Sequence, residues 1–329
     1  MPSSESITAL VLLRDKVPPE GGAHVDQPLP RQGTWEKTTY RIPKSAMLAL
    51  VAAVGSRRPL LVRGEPGVGK SDLARAAAAV LGRHFMSYVI QPYTEYQDLL
   101  WTFDHTLRLG EAQLRSRSDT GDLGSALAPE RFITPGPLWW AFEPGEAHKP
   151  PCRTAYVPDE EIDGFPSANG VVLLIDEIDK ADISLCNGLL EVLGNRGFSV
   201  PNLKRRVIAD EARPPLVVIT SNETRQLPSA FLRRCVQLDL SLPTEDNEFV
   251  AHLVEIGGVH VAGMDARVRE DAARQILADR KRGGELARSG LAEYLDLLRV
   301  LDAIAPDTDG RLRWLGKLEG CFLKTARGR

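Results

Sequence analysis

The residues best equipped for chemistry are Gly64, Glu65, Pro66, Gly67, Val68, Gly69, Lys70 and Ser71, which fit the spacing G-x-x-x-x-G-K-[ST]. Glycines at these positions let the backbone curl tightly, so that N–H groups can wrap a phosphate. A helix opening at once behind them adds the partial positive charge of its N-terminus. Lys70 is the cation that reaches the β- and γ-phosphates, and Ser71 offers a hydroxyl oxygen to Mg2+. The eight residues are expected to bind the phosphates of a nucleotide together with Mg2+. Kinases, GTPases, helicases and ring-forming machines all use such a loop, so the reaction has to be read elsewhere.

Two acids come next. Asp176 and Glu177 end the apolar run "VVLLIDE" (171–177), at the edge of an open α/β sheet where ligands bind. Asp176 fits the metal-coordinating acid of a second nucleotide motif, sharing Mg2+ with Ser71. Glu177 can polarise a water for attack on the γ-phosphate. Neighbouring strand residues face opposite ways, so the two acids should do different jobs. This double-acid ending disfavours small GTPases and most kinases. A third run, "PLVVIT" (215–220), opens a buried strand ending in Thr220, Ser221 and Asn222, and Asn222 would help hold the attacking water if this strand lies beside that of Asp176. Farther on, Pro228 and Ser229 open a short helix carrying Arg233 and Arg234.

The elements that must position these groups are legible. "LLV" before the loop, "FMSYVIQ" (85–91), the two runs above and "VQLDL" (236–240) read as five strands separated by helical segments. Continuous β-branched and leucine runs of this kind fit a parallel sheet covered on both faces. A helix is predicted from Ser45 to Gly55. Beyond Pro243, helical periodicity at 245–257, 267–281 and 291–304 describes a small all-helical domain. Residues 15–35, rich in Pro and Gly, read as a linker or extended arm. Residues 114–170, without clear elements, are expected to contain a surface insertion. The paired Trp139 and Trp140 beside Pro137 read as packing residues.

The chain has 329 residues and a net charge of −3. No overall basic field draws it to nucleic acid, where each phosphate contact needs a cation. No apolar run approaches the ~20 residues needed to span a bilayer. "ITALVLL" is too short and lacks the basic flank of a secretory leader. The four cysteines are scattered without metal-ligand spacing and read as reduced thiols. A cytoplasmic protein with no membrane partner is expected.

Phosphate loop, "LLIDEIDK", "ITSN" and "LPSAFLRRC", in this order, resemble the AAA+ ATPases. "YQDLLWTFDHTLRLGEAQ" (96–113) and "FITPGPLWWAF" (132–142) look like segments of their MoxR-type branch that flank its insertion. The resemblance covers roughly residues 38–325. It implies a P-loop NTPase with a five-stranded parallel sheet in the order 5-1-4-3-2, followed by a helical lid. It also implies a homo-oligomeric ring, often a hexamer, with ATP at subunit boundaries. By motif position Asn222 matches the sensor asparagine and Arg234 the arginine finger, with Arg233 its rival. The domains implied are an arm at 1–37, a nucleotide-binding domain at 38–243 with an insertion around 105–140, and a lid at 244–329. One departure stands out: the branch commonly carries a basic second sensor at a lid helix, and here the corresponding region offers only Arg288. The activity implied is Mg-dependent ATP hydrolysis coupled to remodelling a protein client on a separate chain. A nucleic-acid translocase and an ATP-gated scaffold are the alternatives on the same fold.

Overall fold

A computed structural model of the chain describes residues 4–116, 123–147, 169–283, 289–319 and 321; Arg288, His148 and Cys152 lie outside these. The chain divides into two compact units, one of Met1–Arg63 with Ser71–Leu238, the other of Gly64–Lys70 with Asp239–Arg329.

The first unit is built on five strands: β1 (Leu60–Arg63), β2 (His84–Val89), β3 (Val171–Asp176), β4 (Leu216–Ser221) and β5 (Val236–Asp239). Their spatial order is β5-β1-β4-β3-β2, the 5-1-4-3-2 order expected. β4 runs parallel to both neighbours, with Val218 opposite Leu60 and Ile219 opposite Ile175. β2 pairs parallel with β3 from His84 opposite Val171 to Val89 opposite Asp176. Leu60 to Val62, Val171 to Ile175 and Leu216 to Ile219 are all buried. Both pleat faces are therefore covered, which is why these runs show no polar alternation. Helices α1 (Lys44–Ser56), α2 (Lys70–Leu81), α3 (Ile183–Asn195) and α4 (Ser229–Arg234) connect or flank them.

The stretch 114–170 departs from expectation. In its described part, Ile133–Pro135 pairs antiparallel with Trp101–Phe103, and Pro137–Phe142 forms a helix buried along its whole length. Trp139 and Phe132 are at most 2% exposed. Frequent Pro and Gly masked these short elements, but the density of Leu138, Trp139, Trp140, Ala141 and Phe142 marks a piece of core rather than surface. A second hairpin, Gly197–Val200 with Arg205–Ile208, also escapes sequence patterning. So does the strand His24–Leu29, which lies inside the segment read as an arm and pairs with Thr38–Pro43 beyond it. That segment is held down by Trp35, edge-on to Phe85 and beneath the Arg75 guanidinium, whose Nη2 donates to the carbonyls of Pro30 and Glu36. Cys186 and Cys235 are buried, and burial pushes their thiols up to about 11 and about 12.

The second unit is helical beyond its loop segment: α5 (Asp246–His260), α6 (Ala266–Gly283), α7 (Leu291–Ile304) and α8 (Thr308–Lys317). Phe249, Leu253, Val268, Ile276, Tyr294 and Leu298 form its core, with Val68 packed against it. The three predicted helices are present, and α8 is an addition. Among the described residues no helix is long and apolar enough to cross a membrane.

Candidate functional site

The loop Gly64–Lys70 follows β1, and Lys70 opens α2. Gly64, Gly67 and Gly69 have φ values of 150°, 80° and 88°, in the region that side-chain-bearing residues disfavour. Gly64 is also sterically required, since a Cβ there would lie 2.0 Å from the Leu240 carbonyl oxygen. The glycine spacing in the sequence is thus a demand of the backbone. Lys70 is 6% exposed, and its Nζ donates to the carbonyls of Gly64 at 2.7 Å and Glu65 at 2.8 Å. The ammonium sits in the curl of its own loop. Glu65 is engaged within the second unit, where Arg280 Nη2 donates to both carboxylate oxygens at 2.9 and 2.7 Å.

In the first unit, the acids meet their expected partners. Ser71 Oγ donates to Asp176 Oδ2 at 3.0 Å, which brings the two anticipated metal ligands together. The strand ends at Asp176, however, and Glu177 has φ 61°, so strand alternation does not set its direction. The left-handed residue swings its carboxylate toward β4. There Asn222 Nδ2 donates to Glu177 Oε1 at 3.3 Å, the two strands being neighbours in the sheet. On its other oxygen, Oε2, Glu177 accepts from Lys180 Nζ, and this contact holds the Lys180 pKa above its ordinary value.

Two residues are central to this geometry in roles that motif reading did not assign. Thr220, fully buried, takes a hydrogen bond from the Glu177 N–H at 2.9 Å and gives its own proton to Asp176 Oδ1. One hydroxyl therefore fixes both acids. The signal was the parallel register, which sets Ile219 opposite Ile175 and so Thr220 level with Asp176. Asp179 is 2% exposed and accepts from the Asn222 N–H at 3.1 Å, the Thr224 N–H at 3.2 Å and the Thr224 hydroxyl. Burial pushes this carboxyl up, but the Thr224 and Asn222 hydrogen bonds outweigh it and hold the group below the usual carboxylate range. Asp179 pins the turn that presents Asn222.

Asp179→Asn should therefore turn an amide donor toward one backbone N–H, that of Asn222 or that of Thr224. We expect a loss of roughly 1–3 kcal/mol, the range for a hydrogen bond to a charged group. A depressed carboxyl stabilises the fold above its unfolded pKa of about 3.9, and that contribution is lost as pH falls through the lower folded value. Thermal melts from pH 7 down to pH 3 should show the gap between parent and variant closing at the acid end. A constant gap would remove the carboxylate as its cause.

Arg233 and Arg234 end α4, and both are exposed. Among the described residues neither side chain forms an ion pair. Arg288 lies outside the described residues, and Trp139 and Trp140 are buried at a distance in sequence from the site elements.

Residues 59–235 match the family described as AAA domain, dynein-related subfamily. No curated protein sequence matches the chain. Similar solved structures include Thermotoga maritima RuvB, described as a Holliday junction branch migration motor. It is 17% identical over 84% of this chain and 67% of its own, with a TM-score of 0.46. A point variant of the same RuvB is 18% identical over 84% of this chain and 68% of its own, with a TM-score of 0.47.

Proposed function

The chain belongs to the dynein-related AAA family of AAA+ ATPases, and from that premise we propose that it is a ring-forming, Mg-dependent ATP hydrolase of the MoxR type that remodels a protein client. The observation that carries the catalytic part is the cluster of Ser71, on the first turn of α2, with Asp176, Glu177, Thr220 and Asn222 at the adjacent ends of β3 and β4. Lys70 and the loop N–H groups would hold the phosphates. Ser71 Oγ and Asp176 Oδ2, hard oxygens 3.0 Å apart, suit Mg2+. The ion, when bound, withdraws charge from the phosphate oxygens. Glu177 accepts a proton from the attacking water while Asn222, anchored through Asp179, keeps that water and the carboxylate in line. Catalysis of this kind is positioning plus charge stabilisation.

A ring is supported by the free-standing arginine pair on α4, which has no acid of its own within the described residues. The MoxR assignment rests on the motif order and on the segments 96–113 and 132–142. The domain limits proposed are 1–37, 38–243 and 244–329, with the last as a lid. A cytoplasmic site and a client on another chain complete the reading, and the acidic balance favours protein over nucleic acid as that client.

Lys70→Ala tests the binding half. Removing a buried cation from a charge pair costs about 2–5 kcal/mol, so ATP affinity should fall by roughly 30-fold to several thousandfold. Equilibrium titration with a fluorescent ATP analogue, beside phosphate release, measures it. Parent-like affinity in this variant would exclude the loop as the nucleotide site.

A further inference from the structure

We propose that Arg58 is a positioning residue for hydrolysis, fixing the helix that presents Arg233 and Arg234 to a neighbouring subunit; this rests on the trans-arginine reading given above. The observation is a convergence of backbone carbonyls. Arg58 Nε donates to the Arg234 carbonyl at 3.0 Å, and Nη2 donates to the carbonyls of Arg233 and of Cys235, the latter at 3.1 Å. Three successive carbonyls, belonging to the arginine pair and the residue after it, are gathered by one guanidinium.

Elementary helix physics says why this matters. The last carbonyls of a helix have no intrahelical donor, and a cation there also meets the negative end of the helix dipole. α4 has only six residues, so little of its own hydrogen bonding holds its C-terminal turn in place. Cys235 already leaves the helix with extended backbone (φ −98°, ψ 150°). Buried Phe231 anchors the turn from inside, and the Val236 N–H donates to the Pro59 carbonyl at 2.9 Å. Gln237 Nε2 donates to the Leu232 carbonyl at 3.2 Å, and Arg58 takes the three carbonyls that follow it. Its planar fork fixes orientation as well as distance, which the point charge of a lysine would not.

Arg58 has a second property that a generic helix cap lacks. It stands two residues before β1, the four-residue strand that runs directly into the phosphate loop at Gly64. It follows Arg57, whose left-handed φ of 54° ends α1. One short segment thus carries a subunit's own phosphate loop at one end and, through Arg58, the arginines offered to the next subunit at the other.

The test separates a defect in offering the arginine from a defect in the variant's own site. Arg58→Ala should bind ATP within about threefold of the parent and keep its KM, with kcat reduced roughly 10–100-fold, as for a misplacement near 1 Å. Arg58→Lys should fall between the two. In mixed oligomers, Arg58→Ala should be complemented by Lys70→Ala, whose phosphate loop is dead but whose arginines are correctly held. It should not be complemented by Arg234→Ala, because neither partner then offers a sound arginine. Parent-like kcat in Arg58→Ala, or equal rescue by both partners, would overturn the proposal. If Arg58→Ala fails to assemble, Arg58→Lys is read by the same mixing, and parent-like kcat there overturns it likewise. The control mixes Arg234→Ala with Lys70→Ala. Failure of that control in demonstrably mixed oligomers sinks the trans reading and this proposal with it, whereas failure confined to the Arg58 arms sinks this proposal alone.

Discussion

Arg234→Ala should bind ATP within a few-fold of the parent and hydrolyse it roughly 10³ to 10⁵ times more slowly, the range over which an arginine supplied in trans acts in nucleotide hydrolases. The structure motivates the size of the effect. Arg234 ends α4 exposed, with its backbone carbonyl tethered by Arg58 and, among the described residues, no acid pairing its guanidinium. In the proposed ring, a cation held ready in this way would meet charge that arrives from outside its own subunit. Successive helical residues point about 100° apart, so Arg233 cannot aim at the same phosphate, and Arg233→Ala should cost far less. Single-turnover phosphate release, measured at several protein concentrations with binding in parallel, decides between them. A parent-like rate for Arg234→Ala with a collapsed rate for Arg233→Ala would exchange their roles. Parent-like rates for both would remove the arginine finger.

Glu177→Gln should produce the second large effect, a turnover lower by roughly 10² to 10⁴, the span of a positioned acid–base group, with ATP still bound and retained. The amide keeps the shape and can still meet Asn222, but it can neither accept the proton of the attacking water nor pair with Lys180. Bound nucleotide recovered after gel filtration, beside steady-state phosphate release, gives the two readings together. Hydrolysis at the parent rate would take Glu177 out of the mechanism.

Those parts of the fold and site were legible whose chemistry is local in the chain. The phosphate loop could be read because positive φ at Gly64, Gly67 and Gly69 admits few other residues. The five strands could be read because a sheet buried on both faces leaves continuous apolar runs. Asp176, Glu177 and Asn222 were visible as polar residues ending such runs. The roles of Thr220 and Asp179 were not, since each acts on a partner more than 40 positions away in sequence, and only strand register brings them together. The buried stretch at 132–142 was masked because its elements run three to six residues, too short to show periodicity. Glu177 was read as part of a strand, and its turn into the left-handed region follows from the hydrogen bond between its N–H and Thr220, a tertiary effect.

That left-handed Glu177 places durability and turnover in opposition at one residue. An L-residue with a bulky side chain costs about 1–2 kcal/mol in this conformation, and glycine would sit there with less strain. On the proposed mechanism, glycine at position 177 would give a more heat-resistant protein and a slower hydrolase. The same left-handed backbone recurs at Arg57, Arg196, Lys204 and Glu223, so what sets position 177 apart is the carboxylate that this strain turns toward Asn222.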